Sequence, residues 1–475
     1  MNNQISLDEI EFSTLSIIDD YGKVFFWKNR IFRAIYEDAV GKVIDIFSSG
    51  LINELVDNNL FPRSWITDYQ LEGYGFVIEH EKIVTVSYPY EWSFSMLKDA
   101  AIVVLKINII AQKYGYQTKD CHGFNIVFDG VNPKYVDLGS FFKIEDKSNG
   151  WIAYEEFLRF YYYPLSIWSH GNSYIARRML LGGTAMSHED FVLYKNPFYR
   201  LLNRNFLEKI INFYFRRKHV LGISSVKRLN KYPCGFGYLI IYFVNKILFP
   251  LLKVNLLLLQ KKTQKLSIKH YRTTWGEYHD QFQKNNGIDS TQRFDRIINI
   301  IKGYKIETVT ELAGNQGVFS ILLLQQTKVK HVICSDADEN AVEKMYLIAK
   351  KSNIKLTPVL LNFILPIFAH NRRPPDERLK SDIAIALAIT HHLILTARLP
   401  IDIIFKSIMV YSKKYVCIEY MPLGLYDNKY SRPIPTWYTK DWFRDHFKKY
   451  FDIILEEKIE ENRVLFFGEL KYNCF

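Results

Sequence analysis

Two rhythms of apolar and polar residues divide the chain. Near its start, 23–27 and 30–35 read as short strands around a Lys28-Asn29 turn. In AVGKVIDIFSSGLINELVDNNL the apolar positions recur at helical spacing. FVIEHEKIVTVS alternates as a half-buried strand does, and SFSMLKDAAIVVLKINIIAQKYG predicts a long helix closed by Gly115. From Thr308 the pattern is strand, glycine-bearing turn, apolar helix, strand, acid, through VTELAGNQGVFSILLLQQ and VICSDADENAVEKMYLIAKK. SDIAIALAITHHLIL occupies a fourth-strand position and KKYVCIEYMP a fifth. YTKDWFRDHFKKYFDIILEEK and VLFFGEL then supply a helix and terminal strands, completing a seven-strand plan. Such alternation predicts a mostly parallel sheet with helices on both faces.

Between these regions the composition shifts. From Leu201 to Arg272 there are fifteen Lys or Arg against one acid, Glu208, so the net charge of +12 belongs almost wholly to this stretch. It contains GFGYLIIYFVNKILFPLLKVNLLLLQKK, where Lys246, Lys253 and Gln260 fall seven apart and share one helical stripe. A membrane-spanning helix would bury each lysine at ~2.5–3.5 kcal/mol, and Pro250 would kink it. A helix lying in the head-group plane avoids the cost of burying the lysines, as does one packed between domains with its lysines in water. The expected division is therefore 1–195, a basic amphipathic connector at 196–272, and 273–475. An anionic membrane surface suits the leucine-rich patch better than nucleic acid does.

Apolar residues at 48% and charged residues at 24% fit globular domains and exclude a disordered chain. The five cysteines are odd in number, widely spaced and free of CxxC pairs, which argues against a disulfide framework or a cysteine zinc site and for a reducing compartment. The first thirty residues lack a basic n-region and an apolar h-region, so no secretory signal is expected. The expected location is cytoplasmic, with peripheral attachment at the inner membrane face through 201–272 as an open alternative to a connector helix packed between domains.

Two stretches carry candidate chemistry. In TKDCHGFNIVFDGVNPKYVDLGSFFKI, Asp120 and Asn125 stand five apart, a hairpin pattern follows, and Asp137 begins Asp-Leu-Gly. This spacing resembles the catalytic core of protein-kinase-like and aminoglycoside-kinase-like folds. The resemblance implies an Asp that orients a hydroxyl and an Asn and a second Asp that hold Mg²⁺ beside ATP. The departures are a missing GxGxxG loop, a missing VAIK-type lysine, and Thr118 in place of the motif's His. Arg33 is the cation in the interior of the strands that would form the first lobe. Glu79-His80-Glu81 offers metal-ligand residue types, but strand alternation would point His80 away from both carboxylates.

In the C-terminal region Glu311 lies at a strand end, Gly314 and Gly317 in the turn, and Asp336 at the end of the next strand. Glycine lets a ligand approach the backbone, and an acid after the second strand takes ribose hydroxyls. A dinucleotide site would want GxGxxG, and Glu311 would repel a pyrophosphate. The turn resembles the D/E-x-G-x-G-x-G motif of class I methyltransferases that use S-adenosylmethionine (SAM). Glu311 is the acid that approaches the cationic methionine part, Ala313 replaces the first glycine, Asn315 takes the middle glycine's place, and Gly317 is the last. Asp382, which begins the fourth strand, is counted with the cofactor-binding residues. His391 and His392, expected at that strand's carboxyl edge, are candidates to take a proton from a hydroxyl acceptor.

The longer pattern YPYEWSF, LKDCHGFN, YVDLGSF, TTWGEYH, ELAGNQGVFS and ALAITHHL resembles a bacterial family of SAM-dependent methyltransferases related to the nodulation protein NoeA. The resemblance covers most of the chain. Several members occur with surface-glycan genes, which implies a glycan or lipid-linked sugar as acceptor. The expectation is α/β and α+β architecture: a kinase-like N-terminal module and a C-terminal Rossmann-like seven-strand methyltransferase domain performing O-methylation. A bifunctional kinase/methyltransferase, an RNA methyltransferase and a non-catalytic scaffold remain as alternatives.

Overall fold

The computed structural model describes residues 3–194 and 255–471, short gaps aside. The chain forms two compact units, one from 1–82, 97–126 and 133–269, the other from 83–96, 127–132 and 270–475.

The first unit is built on a five-stranded antiparallel sheet in the order Glu11–Phe12, Gly22–Trp27, Arg30–Ile35, Phe76–His80, Ser64–Ile66. Lys28 and Asn29 both take positive φ (47° and 61°), the hairpin geometry whose twist matches its strands. Alternation puts Phe25, Trp27, Phe32, Ala34 and Val77 into one core with Ile5 and Leu71. The helical pattern after residue 39 is two helices, Val40–Ser48 and Leu51–Asp57. Gly50, at φ +87°, ends the first, since only glycine enters that region without strain. The strand expected through FVIEHEKIVTVS stops at His80. His80 is buried with Nδ1 2.7 Å from Ser64 Oγ, while Glu79 pairs with Arg30 and Glu81 with Lys134. The long helix before Gly115 runs Phe94–Lys113.

The second unit holds a seven-stranded sheet: β1 Thr308–Leu312, β2 His331–Asp336, β3 Leu356–Leu360, β4 Ser381–Ala386, β5 Ser412–Tyr420, β6 Phe451–Glu460 and β7 Arg463–Leu470. The order is β3-β2-β1-β4-β5-β7-β6. The first five strands are parallel, and β7 runs antiparallel between β5 and β6. Helices α1 Gln292–Lys302, α2 Val318–Gln326, α3 Glu339–Ser352, α4 Ile401–Met409 and α5 Lys440–Tyr450 accompany it. Every residue of β2 is buried, and every residue of β4 except Asp382, because parallel strands are covered on both faces. One core layer joins Ile333, Ala384, Val416 and Phe466 to Phe405, Phe443 and Phe447. The α1, α3 and α5 starts are fixed by Thr291, Asp338 and Thr439, whose side chains accept backbone N–H bonds of the first turn.

Two early segments complete this unit. Glu91 forms a buried ion pair with Arg378 at 2.5 Å. Ser95 N donates to Glu343 Oε2 at 2.9 Å, and Lys355 Nζ reaches Asp129 at 2.8 Å.

β4 ends at Ala386, so His391 and His392 do not close the strand; they lie beyond it, where His392–Thr396 forms a helical turn. The connector expected over 196–272 lies outside the described residues up to 254. After it, helix Leu256–Gln264 begins under the side chain of Asn255, which accepts from Leu257 N and Leu258 N. Among the described residues no helix is long and apolar enough to cross a membrane.

Candidate active site

Winding of the parallel sheet reverses between β1 and β4, and such a reversal opens a crevice at the carboxyl ends of the strands. The turn after β1 lies there. Ala313, Asn315 and Gly317 all take left-handed backbone (φ 55°, 53° and 72°), the alternate positions at which the motif has glycine. The conformation survives although two of the three glycines do not. Gly314 is dictated by contact, since a Cβ there would stand 2.3 Å from Cys334 Sγ.

Glu311 and Asp336 converge on this turn. Glu311 is buried, accepts from Ser320 Oγ, and has Cys334 Sγ at 3.5 Å. Burial raises its pKa to about 7, against the opposing pull of those hydrogen bonds and of Arg293. Asp336 closes β2. Its Oδ2 accepts from Asn315 N and its Oδ1 from Asp338 N, both at 2.8 Å, and burial raises its pKa to about 6. Asn315 Oδ1 is buried and meets no donor among the described residues. The crevice thus presents two carboxylates and an orphaned carbonyl oxygen. That is an acceptor-rich lining suited to a ligand with hydroxyls and positive charge.

On the β4 side, the rings of His391 and His392 touch, with centroids 4.1 Å apart and planes tilted by 45°. His391 is buried, its Nδ1 meets no partner among the described residues, and burial, His392 and Arg463 depress its pKa to about 3. Burial also lowers His392, which is the less enclosed of the two.

The histidine turn is held by a residue that sequence reasoning missed. Glu419 on β5 is fully buried. Its carboxylate takes a two-pronged pair from Arg293 of α1 (both contacts 2.6 Å), a bond from Arg463 at 3.1 Å, and the N–H of Ala388 at 2.9 Å. Its carbonyl accepts from Thr390 Oγ1 at 2.7 Å. Ala388, at φ 52°, and Thr390 lead directly into His391. The available signal was a lone acid inside the apolar run YVCIEYM.

Asp382 is a correction. It is the second residue of β4 and so lies near the opposite edge of the sheet, where its Oδ2 accepts from Glu307 N and Thr308 N at 2.9 and 2.8 Å. It ties together the starts of β1 and β4 and does not join the crevice.

In the first unit, the three kinase-like positions do meet. Asn125 Nδ2 donates to Asp137 Oδ2 at 3.2 Å, and Asp120, 3.3 Å from His122 Nε2, lies near enough to act on Asp137. Burial raises Asp137 to about 6; Asp19 and Asp120 add to the rise, and Arg33 opposes it. Arg33 and Asp19 form a buried ion pair. Among the described residues no three His, Cys, Asp or Glu are grouped to hold a metal ion.

Five parallel strands extended by an antiparallel pair, with an acidic glycine-bearing turn after β1 and an acid closing β2, define a Rossmann-like fold of the methyltransferase plan. No family model matches the chain. The chain is 23% identical over 436 residues to the nodulation protein NoeA of Rhizobium meliloti (strain 1021), covering 86% of this chain and 84% of that protein. Among solved structures it is similar to the PH0226 protein from Pyrococcus horikoshii OT3 (19% identity, 41% of this chain and 99% of that one, TM-score 0.33). It is also similar to a SAM-dependent methyltransferase from Clostridium acetobutylicum ATCC 824 (11% identity, 38% and 92%, TM-score 0.31).

Proposed function

We propose that the second unit is a class I SAM-dependent methyltransferase acting on an oxygen of a glycan or lipid-linked sugar. The observation that carries this reading is the convergence of Glu311, Asn315 Oδ1 and Asp336 on one turn at the sheet's reversal point. A pyrophosphate cofactor would meet two buried carboxylates there and be repelled. SAM offers a cationic methionine end for Glu311 and ribose hydroxyls for Asp336. When bound, SAM supplies a methyl group already activated by its sulfonium, so the chain's own contribution is mainly positioning. His391, with its pKa near 3, is a poor proton acceptor. His392 is the better candidate base for a hydroxyl acceptor. The glycan acceptor rests on the resemblance to the NoeA-related family.

Titration calorimetry paired with single-turnover kinetics tests the assignment. Asp336→Ala should weaken SAM binding by ~1.5–3 kcal/mol, the scale of hydrogen bonds to a charged group. His392→Ala should keep SAM affinity while methyl transfer slows at least tenfold, within the ~10²–10⁴ range of general base catalysis. Unchanged SAM affinity in Asp336→Ala would overturn the cofactor site.

The contact between Asn125 and Asp137 favours a kinase-like scaffold for the first unit, in which those two residues would hold Mg²⁺ and Asp120 would face a hydroxyl. Phosphoryl transfer from ATP is not part of this reading, because the sequence carries neither the glycine-rich loop that covers the phosphates nor a VAIK-type lysine. Residues 201–272 would attach the protein to an anionic membrane surface, each basic residue contributing ~1 kcal/mol near it. Co-sedimentation with liposomes should therefore need anionic lipid and weaken with salt. Indifference to lipid charge would remove the membrane partner.

A further inference from the structure

The crevice has a wall that the chemistry above leaves unused. Trp275 and Gly276 form a short turn ahead of α1, and two side-chain amides clamp its backbone. Asn315 Nδ2 donates to Trp275 O at 2.7 Å, and Gln316 Nε2 to Gly276 O at 2.9 Å. Gly276 N donates to Thr273 Oγ1 at 3.0 Å. No larger residue fits at 276, where a Cβ would stand 2.4 Å from Thr273 Oγ1 and 2.9 Å from Asn340 Cβ. The clamp fixes the indole without burying it, for Trp275 is 40% exposed. The ring meets His392 edge to face, with centroids 4.9 Å apart and an interplanar angle of 79°.

Sheet order gives this corner its meaning. β2 and β4 flank β1 on opposite sides, Asp336 closes β2, and His392 follows β4. The corner of Trp275 and His392 therefore stands across the turn from the residue assigned to the ribose, on the side where a methyl acceptor has to approach. We infer that Trp275 is a stacking platform for the acceptor and takes the apolar C–H face of a pyranose ring. An indole that is 40% exposed, with a second ring set nearly perpendicular to it, suits a flat apolar ligand face with a polar rim. The sugar's hydroxyls would point sideways toward His392. This inference rests on the methyltransferase reading and names the side and chemistry of its acceptor.

The test uses the full chain, methyl-tritiated SAM, and as probes delipidated surface polysaccharide and total RNA from the native host. Wild type should label the polysaccharide. Trp275→Ala should raise the polysaccharide KM at least fivefold and leave SAM affinity within twofold by calorimetry, which also shows that the variant is folded. Trp275→Tyr should recover most of the loss. A KM within twofold of wild type in Trp275→Ala, or a loss of SAM binding matching the loss of transfer, would overturn the platform. Label entering RNA and not polysaccharide would overturn the pyranose. A wild type that binds no SAM overturns the methyltransferase reading and this inference with it, whereas normal SAM binding with an unchanged KM overturns this inference alone.

Discussion

Glu311 and Asp336 show what burial does to a single residue. Both carboxyls are raised by loss of water, to about 7 and about 6. A carboxyl whose folded pKa exceeds its unfolded value destabilises the fold as pH rises from that unfolded value through the folded one. A cationic ligand reverses the sign, because it pairs with the ionised form. SAM affinity should therefore strengthen roughly tenfold between pH 5.5 and pH 8. Calorimetry across that range checks it, and a flat profile would take both carboxylates out of ligand contact. These two residues were legible because their placement is local: one spacing of acid and glycine positions sets the turn, and one strand later comes the second acid. Ala313 and Asn315 depart from the motif in composition but not in backbone, since both hold the left-handed φ that glycine would have taken.

At the scale of elements, the loop after β4 depends on its neighbours more than on itself. Glu419 of β5 joins α1 through Arg293, β7 through Arg463, and the histidine turn through Ala388 N. Removing the carboxylate leaves two guanidinium groups without their buried counter-ion. Glu419→Ala should cost ~3–5 kcal/mol in denaturant unfolding, the penalty for breaking a buried pair. A loss under 1 kcal/mol would mean that water replaces the carboxylate and that the hub is not structural. Periodicity could not see this. It placed the strand and the helix correctly but is blind to which strand lies beside which. The same blindness put Asp382 with the cofactor residues, although the start of a parallel strand lies at the edge opposite the crevice. Within the first unit, one stretch of helical periodicity hid a break at Gly50, because a single left-handed residue interrupts the backbone without disturbing the apolar pattern.

For the whole molecule, the second unit is not a continuous run of chain. Glu91, Ser95 and Asp129 belong to it, and Arg378, Glu343 and Lys355 are their partners. Both members of the Glu91–Arg378 pair are nearly inaccessible to solvent. A fragment beginning at His270 would lose Glu91, Tyr88 and Val86 O, the groups that pair with and cover Arg378. Such a fragment should melt well below the full chain in calorimetric scans and bind SAM weakly. An isolated fragment as stable as the full chain would show that the early segments contribute nothing to this unit.

The residues by themselves determined the βαβ alternation from Thr308 onward, the acidic glycine-bearing turn, the acid after β2 and the hairpin at Lys28-Asn29. Each of these is a matter of near neighbours and backbone period. They also determined where the positive charge is concentrated, which needs no fold at all. Only the tertiary structure decided that Glu419 governs the histidine turn, that Trp275 is clamped beside His392, that Asp382 faces away, and that two segments far upstream complete the second unit. These are contacts between residues up to 292 positions apart. They are set by strand order and by the need to pair each buried charge, and a one-dimensional pattern carries no record of either.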